Sequence, residues 1–209
     1  MNKQLFMATL LLTSLTSYAQ KQNFDLQQLL KEKKLITNNR EVVPLTDGDK
    51  KGISLSGVVW LKGINFSTGT IEVDLRGKDE FQKSFIGIAF HGVDTITTDV
   101  VYFRPFNFRA ADPVRKIHAV QYVSEPEFPW HKLRDEKNGM YEKAVDPAPK
   151  GSDWFHAKIV VGEKEIAVFV NNASTPSLTV EKLNSRKDGL IGFWNGGLNG
   201  DFANLTITK

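Results

Sequence analysis

A chain of 209 residues that is 41% apolar can bury a sizeable core, and the length suits one all-β domain. The absence of cysteine excludes disulfides, thiol nucleophiles and cysteine-based zinc sites together. A formal charge of +3 with no run of Lys or Arg argues against nucleic acid or an anionic membrane surface as a partner.

Residues 1–19 read as a secretory signal. Lys3 gives a basic start, Leu5 to Leu15 an apolar segment too short to span a bilayer, and Ser17-Tyr18-Ala19 a small-x-small cleavage site. The mature chain is expected to begin at Gln20 and to be secreted or periplasmic, and no cysteine follows the cleavage site to take a lipid anchor. No later segment is apolar enough to cross a membrane. Within a lead-in at 20–40, Phe24 to Leu35 could form a short helix with Leu26, Leu29 and Leu30 on one face.

Beyond the lead-in, glycine-centred turn signals recur about every 8 to 12 residues, with short β-rich runs between them. That pattern predicts an all-β, antiparallel two-sheet sandwich, with residues 20–209 as one domain. In Thr70–Arg76, Ile71, Val73 and Leu75 face inward and Glu72, Asp74 and Arg76 outward. In Ser84–His91, Ile86, Ile88 and Phe90 make a bulky face. The other face, Phe85, Gly87, Ala89 and His91, is small in its middle, as where something approaches closely.

Two runs mix aromatic and polar side chains most densely. Val101–Phe108 alternates as far as Arg104, where Pro105 interrupts it. Ile117–Val123 is predicted as a strand with His118, Val120 and Tyr122 on one face and Ala119, Gln121 and Val123 on the other. The stretch 124–153 carries four prolines together with Trp130, His131, Arg134, Tyr141 and Glu142, and is expected to fold over one mouth of the sandwich. Aromatic faces stack on sugars and forked polar groups read hydroxyls or carboxylates. The candidate ligand-binding set is therefore Arg104, Asn107, His118, Gln121, Tyr122, Trp130 and Arg134, with His91 beside them. The ordinary alternative is a solvated strand face.

Gly69–Gly77, Phe85–Phe90, Trp154–Val160 with Val168–Asn171, and Gly189–Trp194 with Phe202–Thr206 together resemble the concanavalin A-like lectin/glucanase superfamily. Within it they resemble the secreted LamG-type and domain-of-unknown-function-1080 (3-keto-disaccharide hydrolase-like) sandwiches. The resemblance spans residues 53–208 and implies a jelly roll, often with a concave face that takes glycan.

Glycoside hydrolysis usually needs two carboxylates flanking the scissile bond, about 5 Å apart for retention and further for inversion. Glu72-Val-Asp74 resembles the start of the catalytic strand of family 16 glycosidases, but Arg76 and Gly77 stand where the third carboxylate would be. Glu142, beside Tyr141, is the candidate acid or base from the long loop, provided an apolar setting raises its pKa. The expected function is thus a secreted carbohydrate-active protein, with glycoside hydrolysis leading and Glu142 and Glu72 as candidate catalytic carboxylates. A non-catalytic glycan-binding module is the alternative. A polysaccharide lyase using Arg104, His118, Tyr122 and Arg134 comes third. No cofactor and no metal-ligand spacing is read, although the turns Asp47-Gly-Asp49 and Asn199-Gly-Asp201 could hold a structural calcium. The sequence does not choose an oligomeric state.

Overall fold

A computed structural model describes residues 20–209; the expected signal segment lies outside the described residues. In chain order the elements begin with β1 (Lys21–Phe24), α1 (Leu26–Lys31), β2 (Leu35–Ile36), β3 (Val42–Asp47) and β4 (Lys50–Phe66). Next come β5 (Gly69–Arg76), β6 (Ser84–Gly92), β7 (Thr98–Phe103), α2 (Pro113–Lys116) and β8 (Val120–Glu125). The chain ends with α3 (Trp130–Glu136), β9 (Glu142–Lys143), β10 (Phe155–Val161), β11 (Glu165–Val170), β12 (Leu178–Glu181) and β13 (Gly189–Thr208).

The strands make an antiparallel two-layer β-sandwich of jelly-roll type. In one layer β12, β11, β10 and β5 pair in that order and meet the C-terminal half of β13, at residues 201–208. In the other, β9, β8, β7 and β6 pair in order and meet the N-terminal half of β13, at residues 190–197. β13 therefore passes from one layer to the other. β4 runs with it along both halves, and both strands shift register between the Asn195 and Gly200 pairs. Such irregularities bend a long strand around the corner of a sandwich.

Alternation of side chains decides what the layers bury. Ile71, Val73 and Leu75 of β5 and Ile86, Ile88 and Phe90 of β6 all face the core, as their sequence pattern predicts. Phe103 of β7 meets Phe155 of β10 across the layers with ring centroids 5.0 Å apart. Each such buried aromatic contributes roughly 1.5–3 kcal/mol from the area it removes from water.

Several boundaries differ from the sequence reading. Glycine signals do not always end a strand: the runs on both sides of Gly57 belong to the 17-residue β4, and those on both sides of Gly196-Gly197 to the 20-residue β13. Gly57 and Gly197 have positive φ within these strands, so they bend them without ending them. The expected helix at 24–35 is only α1, started by the Asp25 carboxylate accepting from the Gln28 N–H at 3.0 Å. The strand expected at 117–123 begins three residues late. α2, started by Pro113 with Asp112 as its N-cap, occupies the preceding stretch and leaves His118 in a turn. The 124–153 stretch is not wholly irregular, since it holds α3 and β9.

Candidate functional site

The outer face of the second layer carries a row of directly paired residues. Trp194 of β13 lies opposite Gly87 of β6, Gly87 opposite Tyr102 of β7, Tyr102 opposite Gln121 of β8, and Gln121 opposite Glu142 of β9. Their strand neighbours Ile86, Val101 and Phe103 point the other way into the core. Gly87 is required in this row: a Cβ there would come within 2.1 Å of the Val101 carbonyl oxygen and 2.6 Å of the Tyr102 Cα. Without that Cβ, Tyr102 and Trp194 lie close, with centroids 5.0 Å apart.

Above this row opens a cleft of about 630 Å³. Its floor is aromatic: Trp194, Tyr102, Phe85 and Phe106 contact one another in edge-on or tilted pairs. Phe81, Val114 and Trp130, the last at the start of α3, form an apolar rim, with Trp130 48% exposed. The remaining lining groups are polar or charged: Arg104, Arg115, Arg134, His118, Asn107 and Gln82.

Each arginine is held by named partners. Arg104 is buried, stacks over Tyr102 at 4.8 Å, and donates to the Tyr102 hydroxyl at 2.6 Å, Gln121 Oε1 at 2.5 Å and the His118 carbonyl at 3.0 Å. Arg134 donates from Nε and Nη2 to the two oxygens of Glu142, at 2.9 and 2.8 Å, and lies 5.1 Å over the Trp130 ring. Arg115 donates from Nη2 to the Phe106 carbonyl at 2.8 Å and from Nε to Asn107 Oδ1 at 3.3 Å, and lies 4.3 Å over Phe81. Asn107 in turn donates to the His118 carbonyl at 3.2 Å, which ties the 3₁₀ turn to the end of α2.

Glu142 is the counter-ion at the base of the cleft, only 2% exposed. Besides Arg134, its Oε2 lies 3.4 Å from Arg104 Nη1. His118 Nδ1 is 2.8 Å from the same oxygen but out of line for a hydrogen bond, so its contribution is charge when the ring is protonated. Burial alone would raise the Glu142 pKa; the Arg134 hydrogen bonds and the charges of Arg134, His118 and Arg104 outweigh it and hold the carboxyl below its usual range. This is the reverse of the setting that a general acid at position 142 requires. Burial pushes the Tyr102 hydroxyl up to about 12.

Of the residues picked out by sequence, Arg104, Asn107, His118, Trp130 and Arg134 line the cleft, and Gln121 lies beneath it holding Arg104. Tyr122 and His91 do not. Tyr122 sits on the core face, where its hydroxyl donates to Asp99 at 3.1 Å. His91 is fully buried, its ring between Asp99 Oδ2 at 2.9 Å and the Ser67 carbonyl at 2.6 Å. The two candidate carboxylates are not brought together, because Glu72 lies on β5 in the first layer and Glu142 on β9 in the second. Glu72 and Asp74 belong instead to a polar face. There Asp74 accepts from Lys50 at 2.8 Å and Asn204 at 2.7 Å and bonds His156 Nδ1 at 2.9 Å. The turns considered for calcium meet at Arg76, which ion-pairs with both Asp47 and Asp201. Among the described residues no group of three or more His, Asp or Glu is placed to hold a metal.

Sequence reasoning missed Trp194, Tyr102, Phe85 and Arg115 as site residues. Register was the missing information: Trp194 is 92 residues from Tyr102 in sequence, and only the β13–β6–β7 pairing unites them. Arg115 had a local signal, Asp112-Pro113 as a helix start, that would have moved the strand boundary and put Arg115 beside His118.

No protein-family model matches the sequence, and no curated protein does. The fold is shared with solved structures at low identity. A carbohydrate-binding module, CBM66 of Bacillus subtilis, superposes with a TM-score of 0.57 at 12% identity, covering 83% of this chain and 95% of that one. A Parabacteroides distasonis protein named as a candidate glycosyl hydrolase gives 0.57 at 13% identity over 90% of this chain and 98% of its own. A Bacillus subtilis protein of unknown function with a galectin-like fold gives 0.52 at 13% identity, covering 82% and 89%. These likenesses show the fold, an antiparallel two-layer jelly roll.

Proposed function

We propose that this protein binds a carbohydrate in the cleft above β6, β7 and β8, and that it acts as a binding module without hydrolysing its ligand. One observation carries the reading: a cleft with an aromatic floor and rim is lined by no Asp or Glu, and the carboxylate beneath it is fully engaged. Aromatic platforms supply the stacking that sugar rings need, and the oriented polar groups fix their hydroxyls. Hydrolysis would require a carboxylate pair across the bound sugar, and Glu72 stands on the other layer. Elimination is disfavoured too. Tyr122 faces the core, and the Tyr102 hydroxyl is held by Arg104 and Gln121 with its pKa pushed up to about 12. The finer kinship with the LamG and domain-of-unknown-function-1080 sandwiches is supported by the shared type of fold. Export rests on the signal pattern of residues 1–19.

The test is an oligosaccharide panel incubated with the mature protein, read for both products and ligand-induced rise in Tm. A Tm rise without product is expected. Product formation that disappears in a Glu142→Gln variant of unchanged Tm would replace the binding reading with a hydrolase.

A further inference from the structure

Resting on the carbohydrate reading of the cleft, we infer that its ligand is an anionic sugar, one bearing a carboxylate or a sulfate, received by Arg115 and Arg134. The argument is one of donors and acceptors. A neutral sugar hydroxyl both donates and accepts, so neutral-sugar sites mix acceptors such as Asp, Glu, Asn and Gln with donors. Here the charged lining groups are three arginines, which only donate. Of the three side-chain amides at the site, Gln82 is exposed, and the two that hold the arginines are already committed as acceptors. Asn107 Oδ1 takes the Arg115 Nε–H, and Gln121 Oε1 takes Arg104 Nη2 and the Tyr102 hydroxyl.

The charge balance points the same way. Three guanidiniums meet one carboxylate, Glu142, which leaves a net positive cleft. The arginines divide by role. Arg104 is 5% exposed and directed at Tyr102, Gln121, His118 and Glu142, so it builds the floor. Arg134 and Arg115 are each fixed along one side, by Glu142 and by Phe106 with Asn107, while neither Nη1 has a partner among the described residues. Both are half-buried, and both lie over rim aromatics, Trp130 and Phe81. A planar guanidinium held on one side and free on the other is prepared for bidentate capture of an oxyanion while the neighbouring ring stacks on the sugar.

The deciding experiment is a calorimetric titration of the mature protein with oligogalacturonate, the same oligosaccharide methyl-esterified, a sulfated galactan oligosaccharide, and a neutral gluco-oligosaccharide. At least one anionic arm is expected to bind roughly tenfold or more tightly than the neutral arms, as charge-assisted hydrogen bonds warrant, and to weaken with salt. Preference for the uronate over its methyl ester identifies a carboxylate; preference for the galactan identifies a sulfate. Arg115→Gln, checked for an unchanged melting curve, should erase most of that preference while retaining binding through the aromatics. Neutral and methyl-esterified arms binding as tightly as the charged ones would overturn the anionic assignment and leave carbohydrate binding intact. Binding by no arm would overturn both.

Discussion

Replacing Glu142 by Gln separates an anchor from a catalyst. In the native protein one carboxylate, 2% exposed, faces Arg134 at 2.8 Å, Arg104 at 3.4 Å and His118 at 2.8 Å. Glutamine keeps the shape but removes the charge. Its amide can accept from Arg134 through one oxygen only, and its NH₂ must face a second guanidinium N–H. Two arginines then share a poorly solvated site without a counter-ion. Removing one partner of a buried ion pair typically costs about 3–5 kcal/mol. For a domain of this size that corresponds to a fall in Tm of roughly 6–20 °C. The assay is thermal and urea unfolding of both proteins, with an unchanged urea slope showing that the unfolding reaction is the same. The pH dependence gives a second reading with a defined sign. A carboxyl whose folded pKa is depressed stabilises the protein above its ordinary range near 4.5 and loses that contribution as pH falls through the folded value. The wild-type advantage over Glu142→Gln should therefore be full at neutral pH and shrink in acid. An unchanged Tm together with loss of a measurable turnover would refute the anchor role.

Three further outcomes follow from particular contacts. Trp130→Ala should weaken glycan binding by about 1–3 kcal/mol, the usual worth of an aromatic platform at a binding surface, with under about 1 kcal/mol lost in urea unfolding because the ring is half exposed. Gly87→Ala should destabilise the fold by about 1–3 kcal/mol and shift the Tyr102 ring, visible in near-UV circular dichroism, because its Cβ meets the β7 backbone. On the other layer, the Asp74 hydrogen bond raises the His156 pKa above its ordinary 6.5, and His156, Lys50 and Asn204 overcome the effect of burial to hold Asp74 at about 2. A raised histidine stabilises fully below 6.5 and loses that contribution as pH climbs through its folded value. His156→Gln should therefore be less stable than wild type at pH 6, with a gap that narrows in alkaline urea titrations.

The sandwich was legible because its core strands obey a period of two. Ile71-x-Val73-x-Leu75 and Ile86-x-Ile88-x-Phe90 name their inner faces without help from tertiary contacts. Half of the site was legible for a different reason: Arg104, Asn107, His118 and Trp130 are conspicuous beside aromatics within a single stretch of chain. What failed was parity. Placing the strand start at Ile117 put His118 and Tyr122 on one face, whereas the turn after α2 frees His118 from the alternation and leaves Tyr122 in the core. A one-residue choice of face cannot be repaired by composition, since β8 is buried on both sides. The polar row at Glu72 misled for a related reason. Two acids two residues apart do share a face, but that face meets Lys50, His156 and Asn204, and the cleft belongs to the other layer.

The central claim is that carbohydrate binds on the β6–β7–β8 face, and the four tryptophans report on it directly. Trp130 and Trp194 line the cleft, Trp60 is buried against Gly92, and Trp154 lies on the opposite layer with its indole N–H bonded to Asp47 at 2.8 Å. The measurement is a heteronuclear NMR titration of the four indole N–H resonances with the best-binding oligosaccharide. The cleft reading predicts that the Trp130 and Trp194 signals move together while those of Trp60 and Trp154 stay fixed. Movement of the Trp154 signal, with Trp130 and Trp194 unchanged, would place the ligand on the Glu72–Asp74 face and contradict the account.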